Sequence, residues 1–235
     1  MRKKFLIIIP ARSGSSGVKN KNLKLINKKP LLYYTCSFAK KIKDKDSTII
    51  GCTDAANIRK FFLIYRIPVP FLRPKKISCN FSLDIEYVNY CLNYYKSKNI
   101  FFSAGAILRP TSPIRSVQIY IKALKKFIKD KSATSLRSVC ESPVTPYKMW
   151  FKKDNEITPL LKSKFKEHYN MPRQKLPKTY WQTGTYEFFR INYKSKIQSI
   201  SGKKIISYEI PAHDSIDLDT LKDYQKLKNF NLKKF

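Results

Sequence analysis

The chain has 235 residues, enough for one substantial α/β core, and its apolar content of 43% argues against a disordered protein. No apolar run reaches the length of a membrane span, and the run at residues 5–9 is too short for the core of a signal peptide, so we expect a cytoplasmic protein without a membrane partner. The formal net charge of +32 is typical of nucleic-acid-binding proteins. However, the 38 lysines outnumber the 10 arginines and are spread along the whole chain, so genome composition is the favoured cause of the charge. A basic nucleic-acid-binding protein stays as an alternative.

Short apolar runs alternate with longer amphipathic stretches, which is typical of βαβ units around a mainly parallel sheet. We therefore predict an α/β fold of Rossmann-like type with helices on both faces of the sheet. In chain order the predicted elements are strand 5–9, helix 31–41, strand 48–52, helix 55–65, strand 68–72, helix 83–96, strand 104–108, helix 117–128, strand 133–139, strand 185–190, strand 205–210 and helix 220–228.

The segment at residues 140–184 differs from the rest of the chain. It shows little periodicity, is rich in proline and lysine, and holds both tryptophans. A structureless loop of that length is improbable in a compact domain. We expect residues 1–235 to form a single domain in which residues 140–184 are a small inserted lobe that packs on a partner subunit.

The loop after the first strand, residues 10–22, is the first candidate site. It follows the carboxyl end of a strand, which is where open α/β sheets bind their ligands. Gly14 and Gly17 let backbone N–H groups turn toward an anion, and Arg12 and Lys21 add positive charge. The glycine spacing fits neither the dinucleotide-binding fingerprint nor the Walker P-loop. A phosphate-binding loop is predicted, and a flexible surface turn with incidental charges is the alternative.

Three aspartates near the C-terminus, Asp214, Asp217 and Asp219, are a second candidate. In an extended segment residues two apart face the same side, so Asp217 and Asp219 can converge on one cation. Carboxylate oxygens without a nearby cysteine or histidine favour Mg²⁺. The alternative is helix capping, because Asp219 or Thr220 could cap the predicted helix that follows.

Two arginines, Arg109 and Arg115, flank a loop that Pro110 and Pro113 keep out of helical conformation. Arginines held by a rigid loop at a strand end suit the binding of a carboxylate or an oxyanion. Surface pairing with acidic residues is the alternative.

Five ordered segments together carry a specific resemblance. They are Ile-Pro-Ala-Arg-Ser-Gly-Ser-Ser-Gly-x-x-x-Lys-Asn-Leu at residues 9–23, Thr53-Asp54, Leu72-Arg73-Pro74, Arg-Pro-Thr-Ser-Pro-Ile-Arg at residues 109–115, and Asp-Ser-Ile-Asp-Leu-Asp-Thr at residues 214–220. With Pro-Arg-Gln-x-Leu-Pro at residues 172–177 and Gly184, the chain resembles the acylneuraminate cytidylyltransferases, also called CMP-sialic acid synthetases, over about residues 5–228.

The resemblance implies a nucleotidyltransferase of the nucleotide-diphospho-sugar transferase fold that joins CTP to a nonulosonic, sialic-acid-like 2-keto acid sugar and releases pyrophosphate. It also implies a Mg²⁺ cofactor and a homodimer whose inserted lobe reaches the neighbouring site. The resemblance assigns the nucleotide to Ala11, Arg12, Ser15, Lys21, Asn22, Arg73 and Arg109. It assigns the acidic sugar to Arg109, Lys148, Arg173 and Gln174, and the metal to Asp217 and Asp219. The catalytic residues that it implies are Arg12, Lys21, Asp217 and Asp219.

The chain departs from the family pattern at several positions. Arg109 stands where relatives commonly carry Gln, and Ser16 stands where many carry Lys. These departures leave open a nucleotidyltransferase that uses another nucleoside triphosphate or a simpler sugar. Trp181 and Tyr186 are candidates either for stacking on a ligand or for core packing.

Overall fold

The described part of the computed structural model, residues 4–14, 17–193 and 199–229, is built around a six-stranded sheet. The strands and helices, in chain order, are β1 (Phe5–Pro10), β2 (Leu25–Ile26), β3 (Lys29–Pro30), α1 (Leu31–Lys41), β4 (Ser47–Cys52), α2 (Ala56–Ile64), α3 (Asp84–Lys96), β5 (Ala104–Ile107), α4 (Val117–Lys129), β6 (Ser135–Glu141), β7 (Trp150–Lys153), β8 (Glu156–Pro159), β9 (Tyr180–Arg190), β10 (Ile205–Glu209) and α5 (Leu221–Asn229).

The sheet has the order β10-β6-β9-β5-β1-β4 and is mainly parallel. β1 pairs in parallel with β4 and β5, and β10 pairs in parallel with β6, whereas β9 runs antiparallel between β5 and β6. The predicted mainly parallel α/β sheet is confirmed. The antiparallel insertion of β9 was not predicted.

Helices cover both faces of the sheet because β1 is apolar on both sides. Ile7 and Ile9 pack in a cluster with residues of α1, α2 and α4, and Leu6 and Ile8 pack in a second cluster with residues of α3. This alternation is expected of a central strand, whose successive side chains point to opposite faces. The predicted arrangement of helices is therefore confirmed.

One predicted strand, at residues 68–72, is wrong. Prolines at positions 68 and 70 have no N–H group to donate to a ladder, so the segment runs beside β4 with a backbone bond from Gly51 N–H to Pro68 O of 2.9 Å and forms no regular strand. The chain then rejoins the end of β4 through Arg73 N–H and Thr53 O, 2.7 Å apart. This return carries Arg73 to the edge of the sheet where the candidate loop lies.

The segment between β6 and β9, residues 142–179, projects from the sheet. Its regular part is the antiparallel β7–β8 hairpin, in which every residue is exposed. β9 starts at Tyr180, earlier than the predicted residue 185, because its first residues continue the pairing with the end of β6. Within the described ranges, no helix has both the length and the apolar character needed to cross a membrane.

Candidate active site

A cavity of about 610 Å³ opens beyond the carboxyl ends of β1 and β5. Pro10 and Arg12 border it after β1, and Arg109, Pro110 and Thr111 border it after β5. This is the edge at which parallel α/β sheets bind ligands, because loops from neighbouring strands meet there. The remaining wall residues are Gly17, Lys21, Asn22, Arg73, Cys79, Asn80, Ser82, Asp84, Tyr87, Gln182, Thr183, Gly184, Glu187, Asp217 and Asp219.

The loop after β1 is tied down by side-chain hydrogen bonds. Ser13 donates to the Asp54 carboxylate through its backbone N–H at 2.7 Å and through its hydroxyl at 2.6 Å. Asn22 Nδ2 donates to Arg12 O at 2.8 Å and so fixes the backbone that carries the Arg12 guanidinium. Ala11 is buried and contributes its backbone N–H to Cys52 O. The predicted Ser15 lies outside the described residues.

The loop and the C-terminal aspartates meet in the same cavity. Lys21 Nζ donates to Leu218 O at 2.7 Å and to Asp219 Oδ1 at 3.0 Å. Gly17 packs against the same backbone so closely that a Cβ atom would lie 2.1 Å from Asp219 O. Asp217 Oδ1 lies 3.3 Å from the Ser112 hydroxyl, which donates to it. The sequence therefore placed Lys21, Asp217 and Asp219 together correctly.

The start of α5 distinguishes metal binding from helix capping at these aspartates. Thr220 Oγ1 accepts from Asp223 N–H at 3.2 Å, and Asp223 Oδ2 accepts from Thr220 N–H at 2.9 Å, which is a reciprocal capping arrangement. Thr220 is thus the cap, and the Asp219 carboxylate is left to face Lys21 and the cavity. Asp214 is buried and does not line the cavity.

The Asp217 and Asp219 carboxylates fit a magnesium ion. Among the described residues, the second oxygen of each carboxylate accepts no hydrogen bond, and both side chains line the cavity. No group of three or more histidine, cysteine or acidic residues suited to a metal occurs in the described ranges. Two carboxylates are the usual protein share of a Mg²⁺ site that is completed by substrate phosphates and water.

Arg109 and Arg115 have different environments. Arg109 lines the cavity, donates to both oxygens of Asp84 and of Glu187, and is held in an ion-pair network. Burial by itself lowers the pKa of Arg109, but the charges of Glu187, Tyr87 and Asp84 and the hydrogen bond to Glu187 together outweigh burial and hold that pKa well above its ordinary value. Arg115 is buried and donates to Thr185 O and Arg109 O, at 3.0 and 2.7 Å, so the expectation that it binds a substrate anion is wrong.

Comparisons with known proteins agree with this geometry. Residues 6–78 match the family model described as cytidylyltransferase. The chain is 33% identical over 127 residues to the N-acylneuraminate cytidylyltransferase of Escherichia coli, an alignment that covers 54% of this chain but only 29% of that protein. It is 25% identical over 225 residues to the pseudaminic acid cytidylyltransferase of Campylobacter jejuni, which covers 96% of this chain and 95% of that protein.

The fold matches as well. The crystal structure described as CMP:2-keto-3-deoxy-manno-octonic acid synthetase complexed with CTP superposes with a TM-score of 0.66 at 14% identity, over 96% of this chain and 97% of that one. Residues 6–78 therefore resemble the cytidylyltransferase family, and the relatives identify the chain as a nucleotidyltransferase. The nucleotide-diphospho-sugar transferase fold is confirmed.

Arg73 lines the cavity, where a residue that contacts the nucleotide is expected. Its side chain is buried, Nε donates to Ile77 O at 2.6 Å, and the guanidinium lies 4.9 Å from the centre of the Tyr87 ring. The bond to Ile77 and the ring contact hold the guanidinium in one orientation, which leaves its terminal nitrogens as the groups that can face a ligand.

The predicted sugar ligands other than Arg109 lie apart from the cavity. Arg173 donates to Ser142 O at 2.6 Å and to Pro143 O at 2.8 Å, and with Gln174 it lines a separate cavity of about 340 Å³. Lys148 ends a 3-10 turn in the same projecting segment. One copy of the chain does not bring these three residues to Asp217, and their role in sugar binding stays a prediction.

Several wall residues of the candidate site were not predicted from the sequence, among them Asp84, Tyr87 and Glu187. Glu187 gave a signal, since it is an acidic residue inside an aromatic strand of a chain with few acids. Asp84 and Tyr87 gave none, because polar residues are ordinary in a helix. Tyr186, a candidate for stacking on a ligand, is instead fully buried and part of the core.

Proposed function

We propose that the protein transfers the CMP group of CTP to a nonulosonic acid, giving a CMP-sugar and pyrophosphate. The observation that carries this proposal is the contact of Lys21, from the glycine-containing loop, with Asp219 of the carboxylate pair inside a single cavity. That contact supports the proposal because it would bring a triphosphate-binding loop beside two carboxylates able to hold Mg²⁺. The cytidylyltransferases of similar sequence named above act on N-acylneuraminate and on pseudaminic acid, which supports the class of sugar.

The reaction forms a bond between the anomeric oxygen of the sugar and the α-phosphorus of CTP. The bond from the α-phosphorus to the oxygen shared with the β-phosphorus breaks, pyrophosphate leaves with that electron pair, and the proton of the sugar hydroxyl passes to solvent water. Arg12 and Lys21 bind and orient the triphosphate and offset its charge, and Arg73 and Asn22 position the nucleoside end. This is catalysis by positioning and by preorganised charge.

Asp217 and Asp219 would hold Mg²⁺, whose charge, when it is bound, stabilises negative charge that develops on the phosphate oxygens. Each carboxylate also has a partner in the chain, because Ser112 donates to Asp217 and Lys21 donates to Asp219. The Lys21 ammonium, 3.0 Å from Asp219 Oδ1, limits the repulsion between the two carboxylates.

The assembly we propose is a homodimer in the cytoplasm, where CTP is available. The projecting segment offers a surface for it, because large apolar side chains lie exposed there rather than in a core. These exposed residues are Val144, Met149, Trp150, Phe151 and Ile157, and the first two residues of β9, Tyr180 and Trp181, are exposed as well. A dimer through this surface would also allow Lys148, Arg173 and Gln174 to approach the cavity of the other copy.

The experiment that tests the function measures pyrophosphate release. Purified protein with Mg²⁺ is given each of the four nucleoside triphosphates together with sialic, pseudaminic, legionaminic or 3-deoxy-octulosonic acid. We expect release with CTP and at least one of these sugars, and we expect Asp217→Ala to reduce kcat by about 100-fold or more, since the metal site loses one of two ligands.

The matched control is Glu209→Ala, which removes an exposed acid at the end of β10. It should keep the wild-type rate. Turnover with GTP or UTP alone would refute the choice of CTP, and normal turnover of Asp217→Ala would refute the metal assignment.

A further inference from the structure

Four polar residues of the cavity wall, Asp84, Tyr87, Arg109 and Glu187, form a cluster with Arg137, which contacts Glu187. We call these five residues the Asp84 cluster. Glu187, only 1% exposed, accepts hydrogen bonds from Arg109 and from Arg137 Nη1, the latter at 2.5 Å. Asp84 accepts two more from Arg109 and remains 31% exposed at the cavity wall. The cluster thus has one partly exposed carboxylate in front of a buried ion-pair network.

The charges of the Asp84 cluster are balanced. Two guanidinium groups face two carboxylates, and Arg109 directs its donors at both Asp84 and Glu187. A substrate carboxylate that approached Arg109 would have to displace Asp84 and leave a carboxylate without its partner, which is costly. The cluster therefore suits an uncharged polar group rather than the acid group of a sugar.

Tyr87 adds an unpaired hydroxyl to the cluster. It follows Asp84 by three residues on α3, so the two side chains lie on one face of the helix. Its side chain is 2% exposed, and among the described residues the hydroxyl has no hydrogen-bond partner. Burial, and then the charge of Asp84, raises the pKa of Tyr87, so the phenol keeps its proton and remains a donor. An unpaired buried hydroxyl is unfavourable, and a ligand that pairs it removes that penalty.

The position of the cluster points to the sugar half of the substrate. A Cβ atom on Gly184 would lie 3.0 Å from Arg109 Cδ and 3.1 Å from Asp217 Oδ2, so the cluster adjoins the carboxylate at which the sugar hydroxyl must arrive. Arg73, on the nucleotide side, contacts the face of the Tyr87 ring. Tyr87 therefore lies at the boundary between the two halves. The titratable and charged groups that act on the pKa of its phenol are Asp84, Arg109 and Glu187 of the cluster and the Cys52 thiol.

We propose that Asp84 and Tyr87 are specificity-determining residues for the acceptor sugar. Together they bind a hydroxyl or an N-acyl amide group of the sugar. That group donates a hydrogen bond to the Asp84 carboxylate and accepts one from the Tyr87 phenol. Arg109 acts as a positioning residue that holds Asp84 toward the cavity. This inference rests on the proposed cytidylyl transfer to a nonulosonic acid, whose hydroxyl and acylamino groups match such a subsite.

The test compares Tyr87→Phe, Asp84→Asn and wild type by pyrophosphate release, with KM measured separately for CTP and for the best sugar. For Tyr87→Phe we expect the sugar KM to rise about three- to tenfold and the CTP KM to change by less than about twofold. For Asp84→Asn the sugar KM should rise about tenfold or more, because a charged acceptor is lost. The melting temperature of Tyr87→Phe should equal or exceed that of wild type, since the removed hydroxyl makes no bond without substrate.

Tyr90→Phe, a change on the same helix outside the cavity wall, is the control and should alter neither KM. A wild-type protein that transfers CMP to no nonulosonic acid overturns the proposed function, and this inference with it. An active wild type whose sugar KM is unchanged in both variants overturns the inference alone. So does a rise confined to the CTP KM, which would assign the cluster to the nucleotide.

Discussion

At the scale of single residues, the site depends on how closely its loops approach one another. Gly17 lies against the backbone of Asp219, and Gly184 lies against Ser112, Arg109 and Asp217. In both places a neighbouring atom lies where the Cβ atom of a larger residue would be. Neither glycine has a positive φ, so close approach and not backbone conformation is what excludes a larger residue.

Gly17→Ala should separate the phosphate-binding loop from the carboxylate pair. Its Cβ would meet Asp219 O at 2.1 Å, and backbone atoms cannot move aside as a flexible side chain can. A displacement of about 1 Å at a reacting centre costs on the order of 100-fold in rate, and we expect a loss of that order in kcat/KM for CTP. Gly14→Ala, in the same loop, meets nothing within 4 Å and is the matched control, with activity within about twofold of wild type. Equal activities of the two variants would show that the loop does not need its contact with Asp219.

At the scale of secondary-structure elements, β9 determines much of the site. It supplies Gln182, Thr183, Gly184 and Glu187 to the cavity wall, and Tyr186 connects it to the start of α4. The Tyr186 hydroxyl accepts from Ser116 N–H at 2.8 Å and donates to Ser116 O at 3.1 Å. This bond anchors the end of the loop that carries Arg109.

Tyr186→Phe should destabilise the fold by about 1–2 kcal/mol, because the partly buried Ser116 N–H loses the tyrosine hydroxyl as its acceptor, whereas Ser116 O keeps its bond from Tyr120 N–H. Urea unfolding measures the change, and Tyr180→Phe, an exposed tyrosine at the other end of β9, should leave the free energy of unfolding unaltered. Since Tyr186 is in the core and away from the cavity wall, kcat should fall by less than about threefold. A variant as stable as wild type would show that β9 and α4 are held together by packing alone.

The sequence predicted the elements whose pattern is local. α1 occupies the predicted residues 31–41, and β1 and β4 lie within one residue of their predicted bounds, because an apolar run between polar turns specifies such elements. The place of β9 between β5 and β6 was not predictable, because strand order depends on contacts distant in sequence. For the same reason, one part of the site could be predicted from the sequence and the other could not. Lys21 and Asp219 follow recognisable motifs, whereas the pairing of Arg109 with Asp84 and Glu187 requires α3 and β9 to be in place.

At the scale of the whole molecule, net charge and assembly oppose each other. Two copies that each carry +32 repel, so a dimer must gain its stability from contacts that carry little charge. The exposed apolar residues of the projecting segment meet that condition, and Phe151, 61% exposed in the β7–β8 hairpin, is the most exposed of its aromatic side chains. Salt screens repulsion between copies and leaves apolar contacts in place.

We therefore expect the dimer to tighten as salt is added, and Phe151→Asp to shift it toward monomer by placing an unpaired charge in the interface. Light scattering at low and high NaCl measures both effects, with Ile64→Asp, a change of an exposed apolar residue on α2, as the control that should remain dimeric. A Phe151→Asp protein that stays dimeric would place the interface elsewhere.

The same salt series examines the nucleic-acid alternative. Binding of a basic protein to RNA or DNA weakens steeply as salt is added, whereas the dimer is expected to become stronger. If association strengthens with salt, the burial of apolar side chains is what drives it. The positive charge of the chain then opposes assembly.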